Sequence, residues 1–186
     1  MQTKNRCAWC EKDDLYRDYH DNEWGKPVYD DATIFEFLIL ETFQAGLSWY
    51  TVLAKRENFR RAFERFDVKK VANFSEKKIK SLYEDVGIIR NKLKINAAVT
   101  NAQAFIKVQE EFGTFSKYIW GFVEGKPIDN QPKTLADVPA TTEISDKLSK
   151  DLKKRGFKFV GSTVVYAHMQ ATGMVNDHVE SCWTRT

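Results

Sequence analysis

Leu82-Tyr83-Glu84-Asp85-Val86-Gly87-Ile88-Ile89-Arg90-Asn91-Lys92 reads as the close of one helix, a glycine break and the opening of another. Upstream, Ser75 can cap the first helix, with Ile79, Leu82, Tyr83 and Val86 along one side. Downstream, a longer helix is expected from about Arg90 to Glu110. The two would meet at Gly87 in a tight hairpin. Backbone amides at such a turn and at the following helix start, those of Gly87 and Ile88 among them, can hold a phosphate, and Arg90 and Lys92 add positive charge.

Helical spacing continues in both directions. Thr33-Ile34-Phe35-Glu36 reads as a capping box opening a helix that runs to about Ala45, where Gly46 stops it. Ser48 can cap the next helix, whose apolar positions Trp49, Val52, Leu53, Phe59, Phe63 and Phe66 suit helical spacing. Ile144, Leu148 and Leu152 mark another that ends at Gly156, and a last apolar helix over about Ser162 to Thr172 ends at Gly173. The stretch from Gly125 to Pro139 holds three of the four prolines and is the clear loop. No run alternates as a strand would. The chain reads as one all-α domain over residues 1–186, with the proline loop as the place where two lobes would part.

At 186 residues the chain is long enough to bury a real core. A hydrophobic share of 42% with 30% charged residues is ordinary for a soluble globular protein. The net charge of +3 permits an acidic partner without demanding one. No apolar run approaches the roughly 20 residues of a membrane span. Met1-Gln2-Thr3-Lys4-Asn5-Arg6 has no apolar stretch behind it, so no secretory leader is expected and the chain reads as cytoplasmic. Three cysteines, Cys7, Cys10 and Cys182, favour metal binding or inert thiols over disulfides in a reducing compartment.

His178 and Cys182 stand four apart, so a helical turn would put both on one face. Cys7 and His20 can complete a Cys2His2 set, the closed arrangement of structural zinc, tying the two ends of the chain together. Chance placement of four such residues is the competing explanation, and Cys7-Ala8-Trp9-Cys10 is itself a plausible two-ligand knuckle. His168, on an apolar helix, reads as a hydrogen-bonded core residue.

Glu41 shares a helix face with Ile34, Phe37 and Leu38, where a carboxylate must be hydrogen-bonded, paired or protonated. Either backbone amides or a basic side chain satisfy it, or it serves a pocket. Trp9, Tyr16, Tyr19, Trp24 and Trp49 all fall in the first third of the chain. Core packing explains any one of them, whereas the group beside a carboxylate suits a stacking pocket for a flat ligand, as a base-flipping enzyme needs. Lys147, Lys150, Lys153, Lys154, Arg155 and Lys158 surround the single acid Asp151, which is either a solvated face or, with the hairpin, a surface for duplex nucleic acid.

Together these residues resemble the zinc-containing 3-methyladenine DNA glycosylases, DNA-3-methyladenine glycosylase I, of the helix-hairpin-helix superfamily. The resemblance covers nearly the whole chain. It is carried by Arg6-Cys7-Ala8-Trp9, Asp18-Tyr19-His20-Asp21-Asn22-Glu23-Trp24-Gly25 and Gln44-Ala45-Gly46-Leu47-Ser48-Trp49. Further on come Val86-Gly87-Ile88-Ile89-Arg90, Lys154-Arg155-Gly156-Phe157-Lys158-Phe159-Val160-Gly161, and Asn176-Asp177-His178-Val179 ahead of Cys182.

The resemblance implies one structural zinc held by Cys7, His20, His178 and Cys182, without Cys10. It places Glu41 against the alkylated adenine, Tyr16, Tyr19 and Trp49 as base-binding aromatics, and Trp9 and Trp24 along the same region. It implies a helix-hairpin-helix over about 75–112 and zinc-binding termini over about 1–24 and 174–186. The implied activity is monofunctional release of 3-methyladenine from double-stranded alkylated DNA, by a monomer with no protein partner. Thr42-Phe43 replaces smaller or polar residues common after the glutamate, Ile89 takes the place of the hairpin's second glycine, and no catalytic aspartate is implied. N3-methylation makes the adenine of a nucleotide a cation, so a negative Glu41 would favour it and accept from its amino group. A non-catalytic, zinc-stapled nucleic-acid-binding module would need the basic clusters but neither Glu41 nor the aromatic pocket.

Overall fold

Short polar side chains start most helices in the computed structural model, which describes residues 4–185. Asp13 caps α1 (Asp14–Asn22), accepting from the Tyr16 amide at 3.0 Å. Ser48 caps α3 (Trp49–Leu53), and α4 follows over Arg56–Ala62. Asp67 caps α5 (Val68–Ala72) and Ser75 caps α6 (Glu76–Glu84). Asn91 caps the long α7 (Lys92–Phe112) and Thr114 caps α8 (Phe115–Trp120). Thr142 caps α9 (Glu143–Lys154), and α10 spans Ser162–Ala171. Each such cap satisfies an amide that the helix itself leaves unbonded.

The helix over Thr33 to Ala45 begins earlier than its sequence implies. The second helix, α2, spans Asp31–Gln44, and its cap is Asp30, which accepts from the Thr33 amide at 2.9 Å and its hydroxyl at 2.8 Å. Thr33 is therefore a donor to the cap, and Glu36 closes no capping box. Every residue from Ile34 to Phe43 is buried, so α2 has no solvent face and runs through the centre of the molecule. It packs against α3, α7, α8 and α10.

The helix expected from Ser48 to Phe66 is broken into α3, α4 and a single turn over Glu64–Phe66 whose residues adopt positive φ. The breaks let Val52, Phe59, Phe63 and Phe66 all reach the core while Arg56 turns to Glu36. The proline loop holds a two-residue strand, β1 (Ile128–Asp129), paired in parallel with β2 (Val175–Asn176). A ladder that short leaves no alternation in the sequence. The main core cluster runs from Ile34 to Val175, on both sides of that loop. Among the described residues no helix is long and apolar enough to cross a membrane. Residues 1–3 of the leader reading, and the outermost residues of the expected metal-binding termini, lie outside the described stretch.

Candidate active site and metal centre

Helix α1 contributes both to an aromatic-lined cavity and to a Cys/His group. Tyr16 and Tyr19 are three residues apart and share a face, while His20 lies beside them toward the chain ends. Tyr16 packs edge-on to Trp9 at 4.9 Å between centroids, Trp9 meets Trp24 at 5.0 Å, and Tyr19 meets Trp49 at 5.4 Å. These five rings line one cavity of about 210 Å³ together with Glu41, Gln44, Leu135, Val138, Ala167 and Gln170. Sites for drug-sized ligands are larger, at roughly 300–1,000 Å³, so this one suits a single flat heterocycle.

Helix α2 carries two buried carboxylates with opposite fates. Glu36 accepts from Arg56 at 2.5 Å and from Arg60 at 3.0 Å, and Arg56 reaches on to Glu23 at 2.7 Å. Glu41, 3% exposed, has no such partner: its Oε2 is buried without a hydrogen bond, as is Nε1 of Trp49. Of the two possibilities left open by sequence, satisfaction within the fold holds for Glu36 and fails for Glu41. Burial pushes the Glu41 carboxyl up to about 8. Near neutral pH burial therefore favours the neutral acid, one of the outcomes that the apolar helix face left open.

Cys7, His20, His178 and Cys182 converge, with ligand atoms all within 4.8 Å of one another. The last two are joined by a turn that Cys182 closes through its amide on Val179 at 2.8 Å, and not by the helix their spacing implied. Tetrahedral zinc with the usual bond lengths sets its sulfur and nitrogen ligands about 3.6 Å apart. The cluster has Cys7 Sγ to His178 Nδ1 at 3.7 Å, Cys182 Sγ to His178 Nδ1 at 3.6 Å and Cys182 Sγ to His20 Nε2 at 3.5 Å. Nε2 of His178 lies 3.1 Å from the Trp24 carbonyl, and Nδ1 of His20 lies 2.9 Å from Asp21. Each imidazole thus donates outward and turns its lone pair inward, the support that metal-bound histidines receive.

Burial opposes the charge on Asp21, but hydrogen bonds from Arg6, His20 and Trp183 outweigh it and hold its carboxyl well below the usual range. Without a cation, burial pushes the Cys7 thiol up to about 12, whereas a bound divalent ion favours the thiolate. The donor set fits a closed four-coordinate metal. Cys10 stands outside it, its Sγ lying 3.1 Å from the Cys7 carbonyl. Gly25 explains the tight approach here, since with φ at +74° an added Cβ would sit 2.8 Å from the His178 ring. His168 is a core residue whose Nε2 lies 3.1 Å from the Ile34 carbonyl.

At the hairpin, Val86 is the exposed tip, Arg90 and Lys92 point to solvent, and the side chain of Ile88 is buried in the core. The Gly87 amide donates to Asp85 Oδ1 at 2.8 Å and the Ile88 amide to the Asp85 carbonyl at 3.3 Å. These amides, which sequence offered to a phosphate, are engaged within the turn. On the basic segment, Arg155 is a structural cation, bound to Asp151 at 2.6 Å and Glu111 at 2.7 Å, and it packs on Phe112 and Tyr118. Lys150, Lys153, Lys154 and Lys158 remain exposed.

Lys94 carried no signal in the sequence. It is buried at the start of α7, and its ammonium donates to the carbonyls of Phe43 at 2.9 Å and Ala45 at 2.6 Å. A cation at the C-terminal end of α2 is favourable, and it fixes the hairpin's second helix beside Gln44, a lining residue of the cavity. Gln44, Leu135, Val138, Ala167 and Gln170 were likewise not singled out, because all but Gln44 come from α10 or the proline loop and no local pattern marks a residue that meets the site only through tertiary packing.

Among the described residues the chain is helical apart from one two-residue ladder, with an aromatic-lined cavity and a Cys/His group that could hold a metal. Residues 9–186 match the family model for methyladenine glycosylase. The DNA-3-methyladenine glycosylase 1 of Escherichia coli is 50% identical over 177 residues, covering 95% of each chain. The DNA-3-methyladenine glycosylase of Haemophilus influenzae is 48% identical over 181 residues, covering 97% of this chain and 98% of that one. A solved structure of 3-methyladenine DNA glycosylase I from Staphylococcus aureus, concerned with that enzyme's recognition of 3-methyladenine, superposes with a TM-score of 0.94. That protein is 38% identical, and the match covers 98% of this chain and 97% of the other. This chain belongs to the methyladenine glycosylase family.

Proposed function

We propose that this protein hydrolyses the N-glycosidic bond of 3-methyladenine in alkylated double-stranded DNA and releases the free base. The observation that carries the reading is Glu41, an unpaired buried carboxyl in an aromatic cavity of single-heterocycle size. A base must leave the stack to reach such a cavity, and aromatic faces then replace the stacking it loses. Tyr16, Tyr19, Trp49, Trp9 and Trp24 supply those faces. The Glu41 carboxyl offers an acceptor to the base edge.

The chemistry asks little more. N3-methylation places positive charge on the base within the nucleotide, and bond cleavage discharges it as a neutral leaving group. A cation beside Glu41 favours its ionised form, so entry of the damaged base and loss of the Glu41 proton are linked. Glu41 then recognises the cationic base and shields the site electrostatically, and water completes the hydrolysis. Among the described residues no lysine lines the cavity, which supports a monofunctional hydrolase over a Schiff-base lyase.

Zinc at Cys7, His20, His178 and Cys182 would tie the chain ends together. Four protein ligands leave no position for an activated water, so its contribution is structural. Helix-hairpin-helix docking on the duplex is supported by exposed Arg90 and Lys92 beside a helix that Lys94 joins to the cavity rim. Contact there runs through these side chains and the start of α7, since Asp85 engages the Gly87 and Ile88 amides. The protein acts as a monomer in this reading. A non-catalytic nucleic-acid module accounts for the cations and the metal but leaves Glu41 unexplained. Incubation with N-methylated duplex and chromatography of the free bases separates the two, because only the enzyme releases 3-methyladenine.

A further inference from the structure

Gln170 lines the cavity from α10 and is tethered from behind. Its Nε2 donates to Oδ2 of Asp177 at 2.8 Å. Asp177 is 1% exposed and also accepts from the Tyr166 hydroxyl at 2.7 Å and from Asn130 at 2.7 Å. With three donors converging on Asp177, the Gln170 amide turns its nitrogen toward it. Among the described residues no protein group donates to the amide oxygen of Gln170. We propose that Gln170, held by Asp177 with its amide oxygen open to the cavity, is a specificity-determining residue that selects a purine with an amino group at C6 over one with an oxo group there.

Toward the free, uncharged bases Glu41 alone selects poorly between the two. Its carboxyl is shifted so far upward by burial that the neutral acid is available near neutral pH, and a neutral acid offers both a donor and an acceptor. It can serve an amino group or an oxo group. A locked carboxamide cannot: its open atom only accepts. An oxo base would set two acceptors against each other and leave both unsatisfied in a confined site, the arrangement by which hydrogen-bonding pockets reject analogues most strongly. Asp177 directly precedes His178 of the metal cluster, so the clip that holds the chain's end also holds the tether.

This inference rests on the 3-methyladenine reading, and the test separates the two. Free 3-methyladenine and 3-methylguanine are titrated against the metal-loaded parent, Gln170→Met and Asp177→Asn, with melting temperature and metal content followed alongside. Gln170→Met keeps length and loses the acceptor, so the preference for 3-methyladenine should fall roughly tenfold with metal content unchanged. Asp177→Asn releases the amide to turn over and should also narrow the preference while Gln170 is still present. A parent-like preference in Gln170→Met, or equal weakening for both bases, overturns the inference. A parent protein that binds neither base overturns the 3-methyladenine reading and the inference together.

Discussion

Replacing Glu41 with glutamine should stabilise the protein in a way that depends on pH. The carboxyl rises from an ordinary 4.5 to about 8 on folding because burial disfavours its charge. A raised folded-state pKa means that the native protein holds the proton more tightly. Its full stability is therefore present below about 4.5 and is lost as pH climbs toward 8. Complete ionisation corresponds to roughly 5 kcal/mol, and at pH 7 to roughly 3 kcal/mol, at 1.36 kcal/mol per pKa unit. A glutamine there would mimic the neutral acid at every pH and escape this loss. For a chain of this size, 3 kcal/mol raises the melting temperature by roughly 6–12 °C. Parent and Glu41→Gln should melt together near pH 4.5 and diverge progressively to pH 8 in scanning fluorimetry. The same variant should lose excision by a factor on the order of 10², a gain of stability against a loss of function that marks a carboxyl kept for its ligand. A difference in melting temperature that is flat across this range would refute the unpaired, protonated state assigned to Glu41.

Metal analysis should find one zinc per chain, and Cys182→Ala should lose it and melt roughly 5 °C lower or more while still excising base below its new midpoint; retained melting with lost turnover would contradict a structural role. Trp49→Ala should weaken binding of free 3-methyladenine by about 1–3 kcal/mol through lost stacking, and unchanged affinity in calorimetry would remove Trp49 from the base site. Lys92→Glu should weaken damaged and undamaged duplex alike and make the salt dependence shallower by about one ion, so binding indifferent to both the variant and added salt would count against the hairpin.

Local chemistry made much of this molecule legible in its sequence. Ser48 and Ser75 cap the helices they precede, Gly87 marks the hairpin, and Gly173 closes α10 where a Cβ would meet the Lys26 carbonyl carbon at 2.2 Å. Cysteine and histidine gather at the chain ends, where sequence alone left Cys10 a rival ligand and the family resemblance set it aside. What stayed hidden is what tertiary packing decides. Asp30 outcompetes Thr33 as a cap because the helix begins where its orphan amides meet a carboxylate. The bends after Leu53 and Ala62 serve several phenylalanines and one buried arginine at once, which no single periodicity encodes. Glu36 and Glu41 look alike in sequence, and only the positions of Arg56 and Arg60 show which is satisfied. Gln170 and Lys94 do their work through partners that no helical or strand period links to them.

The central claim is excision of one damaged base, and base release tests it most directly. Duplex DNA methylated at its ring nitrogens is incubated with the metal-loaded parent and with Glu41→Gln, and the free bases are separated and identified. The account predicts that the parent liberates 3-methyladenine in preference to 7-methylguanine and unmodified adenine, leaves intact strands bearing abasic sites, and that Glu41→Gln liberates little. Duplex binding by the parent without release of any base, or undiminished release by Glu41→Gln, would contradict it.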